Sequence, residues 1–440
     1  MLSSYTNVLG NSYSHEYDLR KRLVKITNPE GHLVVENVYD PKDRVTKQNY
    51  ADGSTMVYRY PAFGEQKKTT EFTKQNGSKF IYKRDDQYRT TGIVEPDGEI
   101  EIEYNEHNQR SKYIDKLGNV TSFEYAKNNL SRIENALGEV VDLNYENDKL
   151  TRISVAGIVK LENEYNEEGY LVAVKDALRR QVRFSYDKET KKLPTHIVQP
   201  DKSVIKIQYD ERKNVTEIVS ASGVTTSFEY DELNRVIKTI DGNGNETQFS
   251  YDDNDNLICV TNAMGDSHTF EYNKTNKVTK VTNFNGAIIQ REYNELGKLS
   301  KIIDPLERET TLGYNEMWKL NEVVQPNGAK TQFSYDKMNR IKMITKPDGN
   351  NIWYAHDPMG NRIGMADEER NITKFSYDAR GQLVKVIDVE DNTTTYMYNN
   401  DGQVVRITDA MDNVNELEYD DAGQLIKETN RICSIISGVL

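Results

Sequence analysis

The chain has 440 residues, with 57 Lys and Arg against 70 Asp and Glu, a formal net charge of −13 and a mean hydropathy of −0.78. The basic residues are scattered and form no block, which argues against nucleic acid as a partner, because phosphate binding needs clustered Lys and Arg. A composition this polar would suit a disordered chain, but 19 of the 28 tyrosines recur in register, and that argues for a fold instead.

Residues 1–16 carry neither a basic leader nor an apolar run, so no signal peptide is expected, and they read as the tail of a preceding repeat. From Tyr17 one phrase recurs. Its anchors Tyr17, Tyr39, Tyr60, Tyr82, Tyr104, Tyr125, Tyr145, Tyr165 and Tyr186 are spaced 20 to 23 residues apart. Between Tyr60 and Tyr145 the phrase is loose: Pro61, Lys83, Ala126 and Glu146 replace the usual Asp or Asn after the anchor. Lys188 to Pro194 adds the length that stretches one repeat to 23. Then the period holds at 21 through Tyr209, Tyr230, Tyr251, Tyr272, Tyr293, Tyr314, Tyr335, Tyr377, Tyr398 and Tyr419, with His356 filling one slot. A period of this length is the sign of a repeat architecture. The expected organisation is therefore a tail at 1–16, one array of about 20 repeats at 17–429, and a non-repeat apolar tail at 430–440 that is too short to span a membrane.

Ahead of each anchor the pattern alternates, as in Phe249/Tyr251 and Phe270/Tyr272, which puts both rings on one face of a strand. Asp or Asn after the tyrosine starts a turn. Gly or Asn four residues past the anchor, and Gly fourteen past it, supply the positive φ that reversing the chain demands. Two strands and two turns per repeat make a β-hairpin joined to the next hairpin. The array thus predicts an all-β fold of about 40 antiparallel strands, roughly 190 Å wide if laid flat. A sheet that large must twist and curl, which favours a spiral or shell over a plane. One spacing fits no simple period: apolar pairs such as Leu257/Val260 and Leu299/Ile302 fall three apart, which either a bulge or apolar residues on both faces would produce.

Chemistry is sparse. The six histidines are isolated and without metal-ligand spacing, and His356 reads as a ring substitution in a tyrosine slot. Asp252-Asp253-Asn254-Asp255-Asn256 opens like a calcium loop but lacks its sixth-position Gly and twelfth-position Glu. Asp241-Gly242-Asn243-Gly244-Asn245 is a turn, with no helix or Lys to make a phosphate loop. Cys259 and Cys433 form no CxxC and say little about compartment. No catalytic, cofactor or metal residues are assigned, and no enzyme activity is expected. The ten regular tyrosines, Tyr209 to Tyr419, are singled out as structural anchors. Rows of tyrosine could also stack on sugar rings, against the simpler expectation that they pack between neighbouring strands.

The phrase Tyr-Asp-x-x-Gly/Asn-Arg, then Asp-x-x-Gly-Asn and Phe-x-Tyr-Asp, plainest at Tyr230 to Asp252, Tyr335 to His356 and Tyr377 to Asn399, resembles the YD-repeat, or Rhs-repeat, family. The resemblance covers Tyr17 to about Thr429, and its Asn/Lys/Ile-rich flavour is similar to wall-associated proteins of Gram-positive bacteria. It implies hairpins wound spirally into a hollow β-shell, here an incomplete one. It also implies large secreted or surface proteins: contact-dependent polymorphic toxins, insecticidal toxin-complex components and teneurins. In the toxins such a shell encloses a C-terminal effector released by cleavage. This chain departs from that pattern: Asp304-Pro305 and Asp357-Pro358 lie inside ordinary repeats, no closing DPxG-type boundary is found, and no effector domain is expected within these 440 residues. The expected function is a non-enzymatic shell or shell fragment whose partners are an effector domain or the rest of the shell. It would be secreted or wall-associated within a longer protein, and cytoplasmic if it stands alone. The alternative is a carbohydrate-binding or adhesion module gripping cell-wall or host glycans.

Overall fold

The computed structural model describes residues 2–61, 69–187 and 192–431. Gly64, part of the Lys188 insertion, Cys433 and the apolar residues from Ile432 to Leu440 lie outside them. The described secondary structure is all strand: 41 strands, numbered in chain order from β1 (Ser4–Thr6) to β41 (Leu425–Arg431). Each pairs antiparallel with the next along the chain. Among the described residues β1 is paired with β2 (Ser12–Tyr17) alone, and β41 with β40 (Val414–Tyr419) alone. The sheet is therefore one open meander.

The repeat around Tyr251 explains how the phrase becomes a hairpin. Strand β24 (Glu246–Tyr251) ends on the tyrosine. Asp252 then turns the chain: its Oδ1 accepts the backbone N–H groups of Asn254 and Asn256, both at 2.9 Å. Its Oδ2 accepts the Asn256 side-chain amide at 2.9 Å. Four residues past the anchor, Asp255 sits at φ 65°, the left-handed region that short polar residues and Gly tolerate best. Strand β25 (Leu257–Thr261) runs back, and Asn262 makes the second turn in the same way, with Gly265 at φ 86°. One turn motif, used twice, builds both edges of the ribbon.

The three-residue spacing comes from a bulge. Tyr251 pairs with Leu257 and Phe249 with Val260, while Ser250 pairs with Cys259, so Ile258 is the extra residue. Leu257 and Val260 thereby share the face of Phe249 and Tyr251. The same shift sits at Glu229/Tyr230, Glu271/Tyr272 and Glu292/Tyr293. Bulging of this kind bends the strand and strengthens its twist, which suits a sheet that must curl.

Spacings of 20 also have a local cause. After Tyr125 and Tyr145 the chain reverses in tight two-residue turns, and the paired residues are Leu130 and Leu150, five past the anchor rather than six. The repeat loses one residue and keeps its bulge.

The two faces differ in chemistry. One carries the tyrosines, phenylalanines and aliphatic residues. The other carries directly opposed Glu and Lys, as in Glu229–Lys238 at 3.4 Å, Glu271–Lys280 at 2.7 Å and Glu292–Lys301 at 3.5 Å. Opposite charges across a strand pair are mildly stabilising. Deep burial is rare: Phe80, Ala173 and Val281 are the buried apolar residues among those described. The accessible surface is 27,119 Å², against roughly 17,000 Å² for a compact chain of this mass. A wall one sheet thick accounts for the excess.

That wall winds back on itself. Side chains near residues 52–160 touch side chains or carbonyls near residues 318–421, with partners 241 to 266 positions apart. One winding therefore takes about twelve repeats of 21 residues. Along the resulting seam, the second-type turns of the earlier winding meet the post-tyrosine turns of the later one.

Candidate functional site

Two devices hold this wall, one within the ribbon and one between windings. The first begins with the anchor hydroxyl. Tyr272 donates to the carbonyl oxygen of Leu257 at 2.7 Å. That carbonyl belongs to the bulge residue paired with the preceding anchor, and it lies beyond the end of the next ladder, which stops at Cys259 and Thr269. A backbone acceptor left over by the bulge is thus satisfied by the next repeat's phenol. Each of Tyr209, Tyr230, Tyr251, Tyr272, Tyr293, Tyr314, Tyr335, Tyr377, Tyr398 and Tyr419 makes the equivalent bond, at 2.5 to 3.0 Å. Burial pushes the phenols of Tyr209, Tyr272, Tyr314 and Tyr335 above their ordinary range, which keeps the donor proton in place.

The residue closing the post-tyrosine turn adds a staple. Asp231 accepts the backbone N–H of Arg235 at 3.0 Å and its Nε at 2.7 Å. The Arg235 guanidinium then lies 4.8 Å from the Tyr251 ring centre and donates to Asp252 O and Asp255 Oδ1. Arg22 over Tyr39, at 4.6 Å, and Arg89 over Tyr104, at 4.6 Å, repeat the arrangement. Such a cation over a ring is worth about 0.5–1 kcal/mol where water reaches it. In these repeats the anchor ring packs under a cation, not against a neighbouring anchor. The backbone N–H of Arg235, followed by its side chain, holds the Asp231 carboxyl below the usual range, although desolvation opposes the shift.

The second device is the seam. Arg340 reaches Asp97 at 3.0 Å, Arg380 reaches Glu139 at 2.8 Å, and Lys160 reaches Asp401 at 2.7 Å. Ser78 Oγ donates to the Lys337 carbonyl at 2.8 Å. Trp318 donates its indole N–H to Asp52 Oδ2 at 2.9 Å and meets the Tyr50 ring edge-on at 4.8 Å. Trp318 occupies the positive-φ slot of its turn, at φ 58°, which most other repeats give to Gly, Asn, Asp or Lys. A bulky residue there costs about 1–3 kcal/mol, offset here by its contacts across the seam. Beside it a cleft of about 410 Å³ opens between the windings, lined in part by Tyr13, Leu33, Tyr50, Leu296, Lys298 and Trp318.

The remaining sequence candidates fall into this lattice. His356 takes the anchor position, with the same register shift before it, and burial together with Arg340 holds its imidazole below the ordinary value. The Asp252 carboxylate is committed to its own turn and Asp255 to Arg235, so the calcium-like stretch is a turn. Asp241 likewise accepts Asn243 and Asn245 N–H groups at 2.8 and 2.9 Å. Among the described residues no three His, Cys, Asp or Glu side chains gather as metal ligands, and no helix is long and apolar enough to cross a membrane. The seam residues Asp52, Asp97, Glu139, Arg340 and Arg380 escaped sequence reasoning because they hold ordinary turn positions, and Lys160 because it is an ordinary strand residue. Trp318 was legible as a misfit in its slot.

Comparison with known proteins agrees with this geometry. The RHS Repeat family matches residues 209–246, and the Teneurin YD-shell family matches residues 359–431. No curated protein sequence matches the chain significantly. Among solved structures, the crystal structure of TcdB2-TccC3-Cdc42 aligns with 96% of this chain at a TM-score of 0.55 and 12% identity. A Photorhabdus luminescens Tc holotoxin pore aligns with 96% at a TM-score of 0.42 and 12% identity. The chain spans 29% of the first of those chains and 30% of the second. At such identity the likeness to the first is one of fold, a β-shell built of sequential hairpins. By its residues and its register the chain resembles the YD-repeat, or Rhs-repeat, family, whose repeats are matched over residues 209–246 and 359–431.

Proposed function

We propose that this chain is a length of structural shell wall in a secreted toxin of the Rhs type, and that it encloses or presents another polypeptide without catalysing a reaction itself. The observation that supports this is the seam: a sheet one layer thick whose later winding docks edge-on against the earlier one makes a continuous wall. Its partners on this reading are an effector domain or further shell wall. The glycan-binding alternative draws little from the anchor tyrosines, whose hydroxyls are spent on backbone carbonyls and several of whose rings lie under Arg or Lys. Reading the genomic frame on both sides of this sequence tests the proposal. Further repeats followed by an unrelated domain support it. A free-standing array retained on peptidoglycan or host glycans, with retention lost when exposed tyrosines are substituted, would overturn it.

A further inference from the structure

The ribbon and the seam are held by different kinds of bond. Along the ribbon, every strand is joined to the next by backbone ladders. Across the seam, the hydrogen bonds among the described residues each use at least one side chain: Arg380 to Glu139, Lys160 to Asp401 and the Asp421 carbonyl, Asn76 and Ser78 to the Lys337 carbonyl, and Trp318 to Asp52. Arg340 adds an ion pair to Asp97. From this contrast we infer that the seam is an ionic latch: it opens as a unit along residues 52–160 and 318–421 while both windings keep their strands.

Three features of the seam carry the inference. Its charged side chains keep 16–31% of their surface exposed, so solvent ions reach their edges and screening weakens them in part. Apart from Lys160, which lies in β16 (Ile158–Tyr165), they run between turn tips, and all of them act through side chains, so parting them breaks no ladder. Of the uncharged contacts, Trp318 is strained in its own turn and is compensated only while the windings touch. The cleft next to Trp318, with Lys298 on one winding and Tyr13 and Leu33 on the other, is where the seam is already parted and where opening starts. The latch decides whether the two windings form a closed wall or a loose coil, and so governs passage between the interior of the spiral and solution. This does not depend on what the shell encloses.

Trp318 reports on the latch directly. In the full chain with Trp353→Phe, it is the remaining tryptophan. Acrylamide quenching of its emission should rise about threefold between 0.1 and 1 M NaCl, as the Debye length falls from about 10 Å to 3 Å. Over the same range small-angle scattering should show the particle expanding, while the strand signal in circular dichroism stays constant. Arg380→Glu should produce the expanded form already at 0.1 M salt, and the exchanged pair Glu139→Arg with Arg380→Glu should restore the closed one. Quenching and dimensions that stay fixed until strand signal is lost would overturn the latch, as would an Arg380→Glu chain that folds and remains closed. If Arg380→Glu does not fold, the salt titration of the parent chain decides alone.

Discussion

The stretch from Tyr60 to Tyr186 and the stretch from Tyr209 to Tyr419 share one repeat but are built for different neighbours. In the later stretch every anchor-to-anchor distance is 21, both turns follow one plan, and contacts run mainly to the adjacent repeat. The earlier stretch varies its turns, and it holds most of the buried residues, Phe80, Ala173, Ser78, Asp115 and Ser154, against Val281 alone in the later one. Its second-type turns are also where Ser78, Asp97 and Glu139 meet the other winding, with Lys160 just inside the strand that follows one of them. Regularity marks what a repeat needs to stack on its neighbour in the chain. At the seam the irregularity is on one side: Trp318, Arg340, Arg380 and Asp401 meet the earlier winding from repeats of strict 21-residue period.

Acid should break the comparison most completely. Side-chain bonds from Asn245, Arg308, Asn371, Asn392 and Asn413 hold the carboxyls of Asp241, Asp304, Asp367, Asp388 and Asp409 below their ordinary value. A depressed carboxyl contributes stability above its unfolded pKa, near 3.9, and loses it as pH falls through the folded value. Strand signal should therefore hold from pH 7 to about 5 and collapse below about 4. Exchange protection should fail first in the later stretch, where these aspartates are dense.

Next in size is Phe80→Ala. Phe80 is 4% exposed, stacks on Phe72 at 4.9 Å and lies under Lys74. Its truncation should cost about 3–4 kcal/mol in denaturant melts, more than any single apolar truncation in the later stretch. Tyr272→Phe should cost about 1–2 kcal/mol, because it strands the Leu257 carbonyl, and the loss of protection should centre on the repeats on either side of that bond. At the small end, Glu307→Gly should stabilise by up to about 1 kcal/mol, since Glu307 sits at φ 60° in a turn where glycine is at ease. Equal effects at Phe80 and Tyr272 would erase the distinction between the stretches.

Most of the fold was legible because the repeat states its own physics. Phe249 and Tyr251 gave a strand face, Asp252 gave a turn, and Gly265 gave the positive φ that only a reversal needs. The bulge was half-visible: Leu257 and Val260 showed the spacing, but choosing between a bulge and two apolar faces required the partner strand. The hydroxyl bond from Tyr272 to Leu257 was hidden for the same reason, since it joins residues fifteen apart through a third dimension that the period does not encode. The seam was the least legible part. Arg380 and Glu139 are ordinary turn residues, and their pairing follows from how far the accumulated twist carries the ribbon in about twelve repeats. Trp318, a bulky ring in a positive-φ turn slot, was a local clue.

The central claim is that a single meander winds back on itself, so the decisive quantity is a distance across the seam. Asn76 and Lys337 lie 261 residues apart in sequence, yet the Asn76 side-chain amide is 3.5 Å from the Lys337 carbonyl. Spin labels at Asn76→Cys and Lys337→Cys, with Cys259 and Cys433 changed to Ser, should give a dipolar distance below about 25 Å at low salt. In an unwound ribbon the two positions are separated by more than twenty strands at about 4.8 Å each, on the order of 100 Å. A short, narrow distribution is the result expected of the wound wall; the absence of any short distance in a chain with full strand signal would contradict it.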